Sequence, residues 1–298
     1  MTSAREALIS GTQRLTVSGI ESARADAELL LCHVLGVSRG KLLTVDDLDF
    51  DQRMAYEKLL AKRMSRTPLQ HLTGLAPFRY MTLAIGPGAL IPRPETEIVV
   101  EAAIRWVREN VTERPLLLDL CSGAAPIALA LATELDHVDV VGIEKFADAQ
   151  QWGRRNADLL QQQIEDRNNT LTLLDGDVCD LQFMQQFAQR AAVVVSNPPY
   201  IPNGMVPRDP EVALHDPHEA LFGGDDGLDI VRGILDTSAM VLRDGGLLVI
   251  EHADAQGEAA GVQGVPHVVR EHGAFANVAD SNDLTARPRY TTATRVVR

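Results

Sequence analysis

An asparagine, two prolines and a tyrosine, Asn197-Pro198-Pro199-Tyr200, stand where the apolar run Ala191 to Val195 and then Ser196 must end. Two consecutive prolines remove two backbone donors and hold φ at about −65° twice, so a strand stops there and the carbonyls of the turn remain free to accept from a ligand. Asn197 adds a side-chain carbonyl and Tyr200 an aromatic face. Such a set of acceptors suits a planar NH2 group lying beside a cation; a rigid strand-ending turn is the plainer alternative.

Upstream, Asp119-Leu120-Cys121-Ser122-Gly123-Ala124-Ala125-Pro126 closes another apolar run, Leu116 to Leu120. Small residues between a strand and a helix let the backbone approach a ligand closely. Glu144 follows Gly123 by 21 residues, the spacing at which a carboxylate takes the hydroxyls of a ribose. Asp119, Cys121, Ser122, Gly123, Ala125 and Glu144 are therefore candidate binding residues. The full G-x-G-x-x-G of dinucleotide oxidoreductases is missing. His215 and His218 form an H-x-x-H beside Glu219 with no convincing third ligand, so no metal is expected. His252, after Glu251, is a candidate to border the ligand.

Strands and helices must position these residues. Apolar runs Leu116 to Leu120, Val138 to Ile143, Leu171 to Leu174, Ala192 to Ser196 and Leu247 to Ile250 are separated by helices starting at Pro126, Ala147, Leu181 and about Gly227. Continuous apolar strands alternating with helices predict a parallel sheet covered on both faces. The tail from Val265 onward is expected to add two strands at one edge. A helix runs from Glu95 to about Asn110. Before it, Tyr80 to Ala84 alternates and Gly86-Pro87-Gly88 turns the chain back, which reads as a hairpin linker. The first 66 residues read as helices: Ala23, Ala27, Leu30 and Val34 share a face that Gly36 ends, and Tyr56, Leu60 and Met64 share another. The expected division is 1–74, a helical docking domain; 75–94, the hairpin linker; and 95–298, the catalytic domain.

The net charge of −13 disfavours a general phosphate-binding role, because nucleic acid is held largely by lysine and arginine. The charge is uneven: residues 1 to 80 carry 11 basic and 9 acidic side chains, which leaves 17 and 32 for the remainder. That asymmetry suggests different surroundings for the two parts. Cys32, Cys121 and Cys179 are odd in number and widely spaced, as expected of reduced thiols in the cytoplasm. No apolar run approaches the ~20 residues of a membrane span, and Met1 to Ser10 lacks the apolar region of a signal peptide.

Asn-Pro-Pro-Tyr resembles the catalytic motif of S-adenosylmethionine-dependent methyltransferases that modify planar amino groups. Pro68-Leu69-Gln70-His71-Leu72-Thr73-Gly74, Ile91-Pro92-Arg93-Pro94-Glu95-Thr96-Glu97, Glu219-Ala220-Leu221-Phe222-Gly223-Gly224, and Asp283-Leu284-Thr285 with Arg287-Pro288-Arg289 are similar to segments of the PrmC/HemK family. That family methylates the glutamine of the Gly-Gly-Gln motif in peptide-chain release factors. The resemblance implies an α/β class I methyltransferase, a Rossmann-like mainly parallel sheet with an antiparallel edge, preceded by a small helical domain and a β-hairpin. It implies S-adenosylmethionine as cofactor, Asp177 and Val178 at its adenine, and Arg93, Glu95 and Thr96 nearby. Asn197, Pro198, Pro199 and Tyr200 are then catalytic and substrate-binding, with Asn197 also touching the cofactor. The implied partner is a class I release factor, met by a monomer with no free nucleic acid and no membrane. The chain departs from the class in its loop: Gly123 alone remains where two or three glycines are usual, and any residue there needing positive φ is strained. Rival readings are an adenine-N6 nucleic-acid methyltransferase, which the acidic charge opposes, and a non-catalytic protein that kept the fold.

Overall fold

The computed structural model describes residues 2–42 and 44–296, and the chain forms two units. The first runs up to Leu75 and regains the chain at Pro207–His215; the second is Ala76–Val206 with Asp216 onward.

Among the described residues three long helices build the first unit, α1 Ala4–Val17, α2 Ala23–Leu35 and α3 Phe50–Met64, with shorter ones at Arg39–Leu42, Leu69–Thr73 and Pro210–His215. Ser3 with Glu6 and Asp49 with Gln52 each form a reciprocal capping box that satisfies orphan donors at a helix start. Gly36, at φ 63°, ends α2 as its position in the sequence implies. Ala23, Ala27, Leu30 and Leu31 pack with Leu15, Tyr56 and Leu60 in one core. The Tyr56 ring fills the space over Gly11, where a Cβ would lie 2.3 Å from the phenol oxygen, and its hydroxyl donates to the Ala27 carbonyl. Arg63 is buried among these helices, its guanidinium 2.7 Å from Asp26 of α2 and 2.7 Å from Glu211 of the returning segment.

The chain passes into the second unit along the hairpin β1 Leu75–Phe78 and β2 Met81–Ala84. Its turn is Arg79-Tyr80, not Gly86-Pro87-Gly88 as the glycines suggested. Arg79 holds φ at 49° because Glu97 accepts its N–H at 2.9 Å and Glu134 accepts its guanidinium at 2.6 Å. Helix α4, Thr96–Asn110, leads into β3 Leu116–Leu120, α5 Pro126–Glu134, β4 Asp139–Glu144, α6 Ala147–Glu165, β5 Thr170–Asp175 and β6 Ala191–Ser196. After β5 the helix expected from Leu181 is a single turn, Leu181–Met184, continued as a 3-10 turn. Then come α7 Asp229–Val241, β7 Leu242–Glu251, α8 Val265–His272, β8 Phe275–Asn282 and β9 Pro288–Arg295. The tail from Val265 thus begins as a helix before giving its two strands. Pro266 at the helix start and Gly273 at φ 75° after it are the punctuation that marks α8.

The seven-stranded sheet has the order β8-β9-β7-β6-β3-β4-β5, parallel except for β9, which runs antiparallel to both β7 and β8. Successive strand residues face opposite sides. Leu117, Val140, Val193 and Val249 meet α4, α5 and α6; Leu118, Val141, Val194 and Leu248 meet α7 and α8. The strand order reverses between β3 and β6, and the crevice beyond the ends of those two strands is where an open α/β sheet receives a ligand.

Candidate active site

The loop after β3 is conformationally demanding. Cys121, Gly123 and Ala125 all sit in the left-handed region, at φ 63°, 56° and 62°. A non-glycine residue there costs roughly 1–2 kcal/mol, and such strain persists only where neighbours over-determine it. They do so here. Ser122 N–H donates to Ile143 O at 3.0 Å, Ala125 N–H to Ser122 O at 2.7 Å, and the Asn156 amide of α6 reaches Ala124 O at 3.3 Å. Gly123 N–H donates to the Glu144 carboxylate at 2.8 Å. Asp119, fully buried, accepts the Ala128 N–H at 2.9 Å and so anchors the start of α5. Burial pushes its carboxyl up to about 8.

Glu144 ends β4 with one oxygen accepting the Lys145 and Phe146 N–H groups, both at 2.8 Å, and the other accepting Gly123. Of about four lone-pair directions on a carboxylate, three are taken. One ribose hydroxyl can be accepted as the site stands; accepting both requires release of a backbone donor. At the end of β5, Asp177 accepts Cys179 N–H at 2.9 Å and the Lys145 ammonium at 2.8 Å, and that ammonium holds its carboxyl below the usual range.

At the end of β6 the Ser196 hydroxyl donates to Leu120 O at 2.6 Å, tying the two switch-point strands together. The Asn197 amide nitrogen donates to the Thr96 hydroxyl at 3.1 Å. Pro199 and Tyr200 are gripped by a glycine-rich segment. A Cβ at Gly223 would lie 2.4 Å from Pro199 O, and one at Gly227 2.3 Å from Tyr200 O, so only glycine lets these backbones meet. Gln256 donates to Tyr200 O at 2.9 Å. Burial beside Glu251 pushes the Tyr200 phenol up, with Arg289, Arg93 and Glu95 also facing it.

One cavity of about 650 Å³ joins these features. Cys121, Ser122, Gly123, Glu144, Asp177, Val178, Asn197 and Pro199 line it, together with Arg93 and Thr96. Asp119 and Ala125 are instead fully buried behind the loop, Pro198 is buried, and Tyr200 and Glu95 stand off the wall. His218 reaches the cavity, stacked on Phe222 at 4.4 Å, whereas His215 belongs to the first unit and meets His71; the H-x-x-H is split. His252 lies buried beside Asp280, away from the wall. Lys145, Phe146, His218, Glu219 and Phe222 were not foreseen as wall residues. The Glu219 to Gly224 match was the available signal, and Lys145-Phe146 directly follow the acid expected at a ribose.

A sheet of this order, with an acidic residue ending the strand after the glycine loop and Asn-Pro-Pro-Tyr at the switch point, defines a class I methyltransferase, a class whose methyl donor is S-adenosylmethionine. Residues 6–74 match the PrmC N-terminal domain. The chain is 44% identical to the release factor glutamine methyltransferase of Streptomyces coelicolor over 96% of both chains, and 42% identical to that of Mycolicibacterium smegmatis over 100% of both. It belongs to the release factor glutamine methyltransferase family. Among solved structures it is similar to the T. thermophilus 16S rRNA N2 G1207 methyltransferase, with 18% identity, a TM-score of 0.49, and 74% of this chain and 49% of that one covered. The cavity suits the donor: a Cβ at Gly123 would meet nothing within 4 Å, so the backbone there faces open space, and Glu144 keeps one acceptor direction.

Proposed function

We propose that the protein methylates the side-chain amide N5 of the glutamine in the Gly-Gly-Gln motif of a class I peptide-chain release factor, acting in the cytoplasm. The observation that carries this reading is the placing of Asn197 and Pro199 on the same cavity wall as Glu144, Asp177 and Gly123. Glu144 is assigned to the ribose and Asp177 with Val178 to the adenine of S-adenosylmethionine, which supplies an electrophilic methyl on a sulfonium. An amide nitrogen is a weak nucleophile because its lone pair is delocalised, the resonance behind the ~18–20 kcal/mol rotation barrier of a peptide bond. The Asn197 side-chain oxygen and the Pro198 carbonyl accept the two N–H bonds of the substrate amide, which localises that lone pair and aims it. Orientation of this kind accounts for ~7–11 kcal/mol in well-placed systems. The proton leaves after transfer, when the nitrogen is acidic, so no dedicated base is required. The helical unit is assigned to docking the body of the release factor.

Labelled S-adenosylmethionine is expected to place one methyl on that glutamine and little on DNA or RNA. Asn197→Ala is expected to abolish transfer while cofactor affinity stays within about tenfold, ~1.4 kcal/mol. Label on adenine, or turnover retained in the variant, overturns the reading.

A further inference from the structure

We propose that Thr96 and Glu251 are positioning residues that fix which end of the Asn197 amide meets the substrate. The inference rests on the amide-methylation reading above. An asparagine amide carries an acceptor at one end and a donor at the other in nearly the same shape. Only its oxygen can receive a substrate N–H; turned over, it would set donor against donor.

Three side chains settle the choice. The Asn197 nitrogen donates to the Thr96 hydroxyl oxygen at 3.1 Å, which leaves the amide oxygen for the cavity that Asn197 lines. Thr96, the first residue of α4 and 2% exposed, then has its own proton to give. Its neighbour on the other side is the carboxyl of Glu251, 1% exposed at the end of β7, whose ionised form the Thr96 hydroxyl favours. An ionised carboxylate accepts and never donates. The donors therefore run one way, amide to hydroxyl to carboxylate, and the member that cannot donate sets the direction.

Protonation of Glu251 removes that constraint. A carboxylic acid can donate to Thr96, Thr96 can donate to the Asn197 oxygen, and the amide then presents its NH2 to the cavity. The charged and titratable groups facing Glu251 are Arg93 and Glu95 before α4, Tyr200 of the turn and Arg289 of β9. Burial, aided by Glu95, disfavours the ionised form and prevails over the Thr96 hydroxyl and the two guanidiniums, pushing the carboxyl up to about 7. Activity is therefore expected to fall as pH drops through that value.

The test uses full-length Thr96→Val, Thr96→Ser and Glu251→Gln, assayed with release factor. Thr96→Val is expected to lower kcat at least ~30-fold with KM and cofactor affinity within ~3-fold, and Thr96→Ser to restore kcat to within ~5-fold, because the loss belongs to the transition state. The acidic limb of the kcat profile should be absent in Glu251→Gln. In 15N spectra of the protein alone, the Asn197 side-chain amide should shift in Thr96→Val but not in Thr96→Ser. Unchanged kcat in the valine variant, equal losses in valine and serine, an acidic limb that survives Glu251→Gln, or an unmoved Asn197 resonance overturns the proposal. If wild type fails to methylate a release factor, the substrate reading fails, and the Asn197 resonance still decides the relay.

Discussion

Ala125 occupies φ 62°, ψ 34° at full burial, a conformation that favours glycine. Glycine would relieve roughly 1–2 kcal/mol of strain but give up a buried methyl worth up to ~0.8 kcal/mol, so the exchange nearly cancels. Ala125→Gly is expected to move unfolding stability by no more than about 1 kcal/mol. Ala125→Val adds a β-branch where φ is positive and two methyls where there is no room, and should cost about 3 kcal/mol by urea unfolding. A tolerated valine would mean that the loop does not hold this conformation. The near-cancellation also shows what the missing glycines leave unsaid: sequence shows that the alanine replaces a glycine, not that Asn156, Glu144 and Asp119 hold the loop regardless. The wall positions of Glu144, Asp177 and Asn197 were legible because strand ends lie at fixed places relative to apolar runs. That of Lys145 was not, because its contact is with a partner 32 residues away, just beyond the end of the next strand.

Among the elements, the segment from Leu221 to Gly227 does most to shape the Asn-Pro-Pro-Tyr turn. Ile201 N–H donates to Leu221 O and Gly223 N–H to Ile201 O, at 2.8 and 2.9 Å. Gly223→Ala would drive a Cβ against Pro199 O, so kcat is expected to drop more than ~10-fold while cofactor affinity, read by calorimetry, stays within ~3-fold. Equal loss of both would place the damage in the fold as a whole. The match at Glu219 to Gly224 was visible in the sequence, but its reason was not: the close approach is to a backbone 24 residues earlier in the chain. The Asp283 match likewise marks a turn. Its carboxylate accepts Thr285 and Arg287 N–H and the Arg289 guanidinium, which fixes the β8–β9 hairpin that carries Arg289. In the first unit, Arg63→Ala would leave Asp26 a buried charge without its partner, while Glu211 keeps Arg66 at 3.3 Å, a loss of about 3–5 kcal/mol. Urea unfolding followed on that unit checks it, and a loss under ~1 kcal/mol would reduce the triad to a surface pair. Helix periodicity gave Tyr56 and Leu60 but passed over Arg63, because arginine is read by default as solvent-facing.

For the molecule as a whole, two buried acids set a pH dependence. Asp119 and Glu251 are pushed up by burial to about 8 and about 7, so the folded protein holds protons that the unfolded chain releases. Their stabilising contribution is complete below the ordinary carboxylate range and is lost as pH rises through those values. His252, which burial holds below 6.5, acts in the opposite sense at lower pH, so the clean window lies above it. The urea midpoint should fall between about pH 6.5 and 8, and Asp119→Asn should flatten that slope. The parallel sheet was legible from apolar runs and their spacing, and its antiparallel edge from the family resemblance. The split of the first unit was not, because nothing local in Pro207–His215 says that its partners precede it by more than a hundred residues. Deleting residues 1–66 would therefore strand this segment as well as remove the proposed docking surface, and substitution of exposed Phe50 and Met54 tests that proposal better. Arg63 and Glu211 are 148 residues apart in sequence. At ~5–20 residues per second, a ribosome needs roughly 7–30 s to make that stretch, and throughout this time the nascent helices hold Arg63 and Asp26 without their third charge. The unit that emerges first is thus among the last to be completed, and a nascent-chain complex stalled before Glu211 should expose it to proteases and chaperones that the released protein resists.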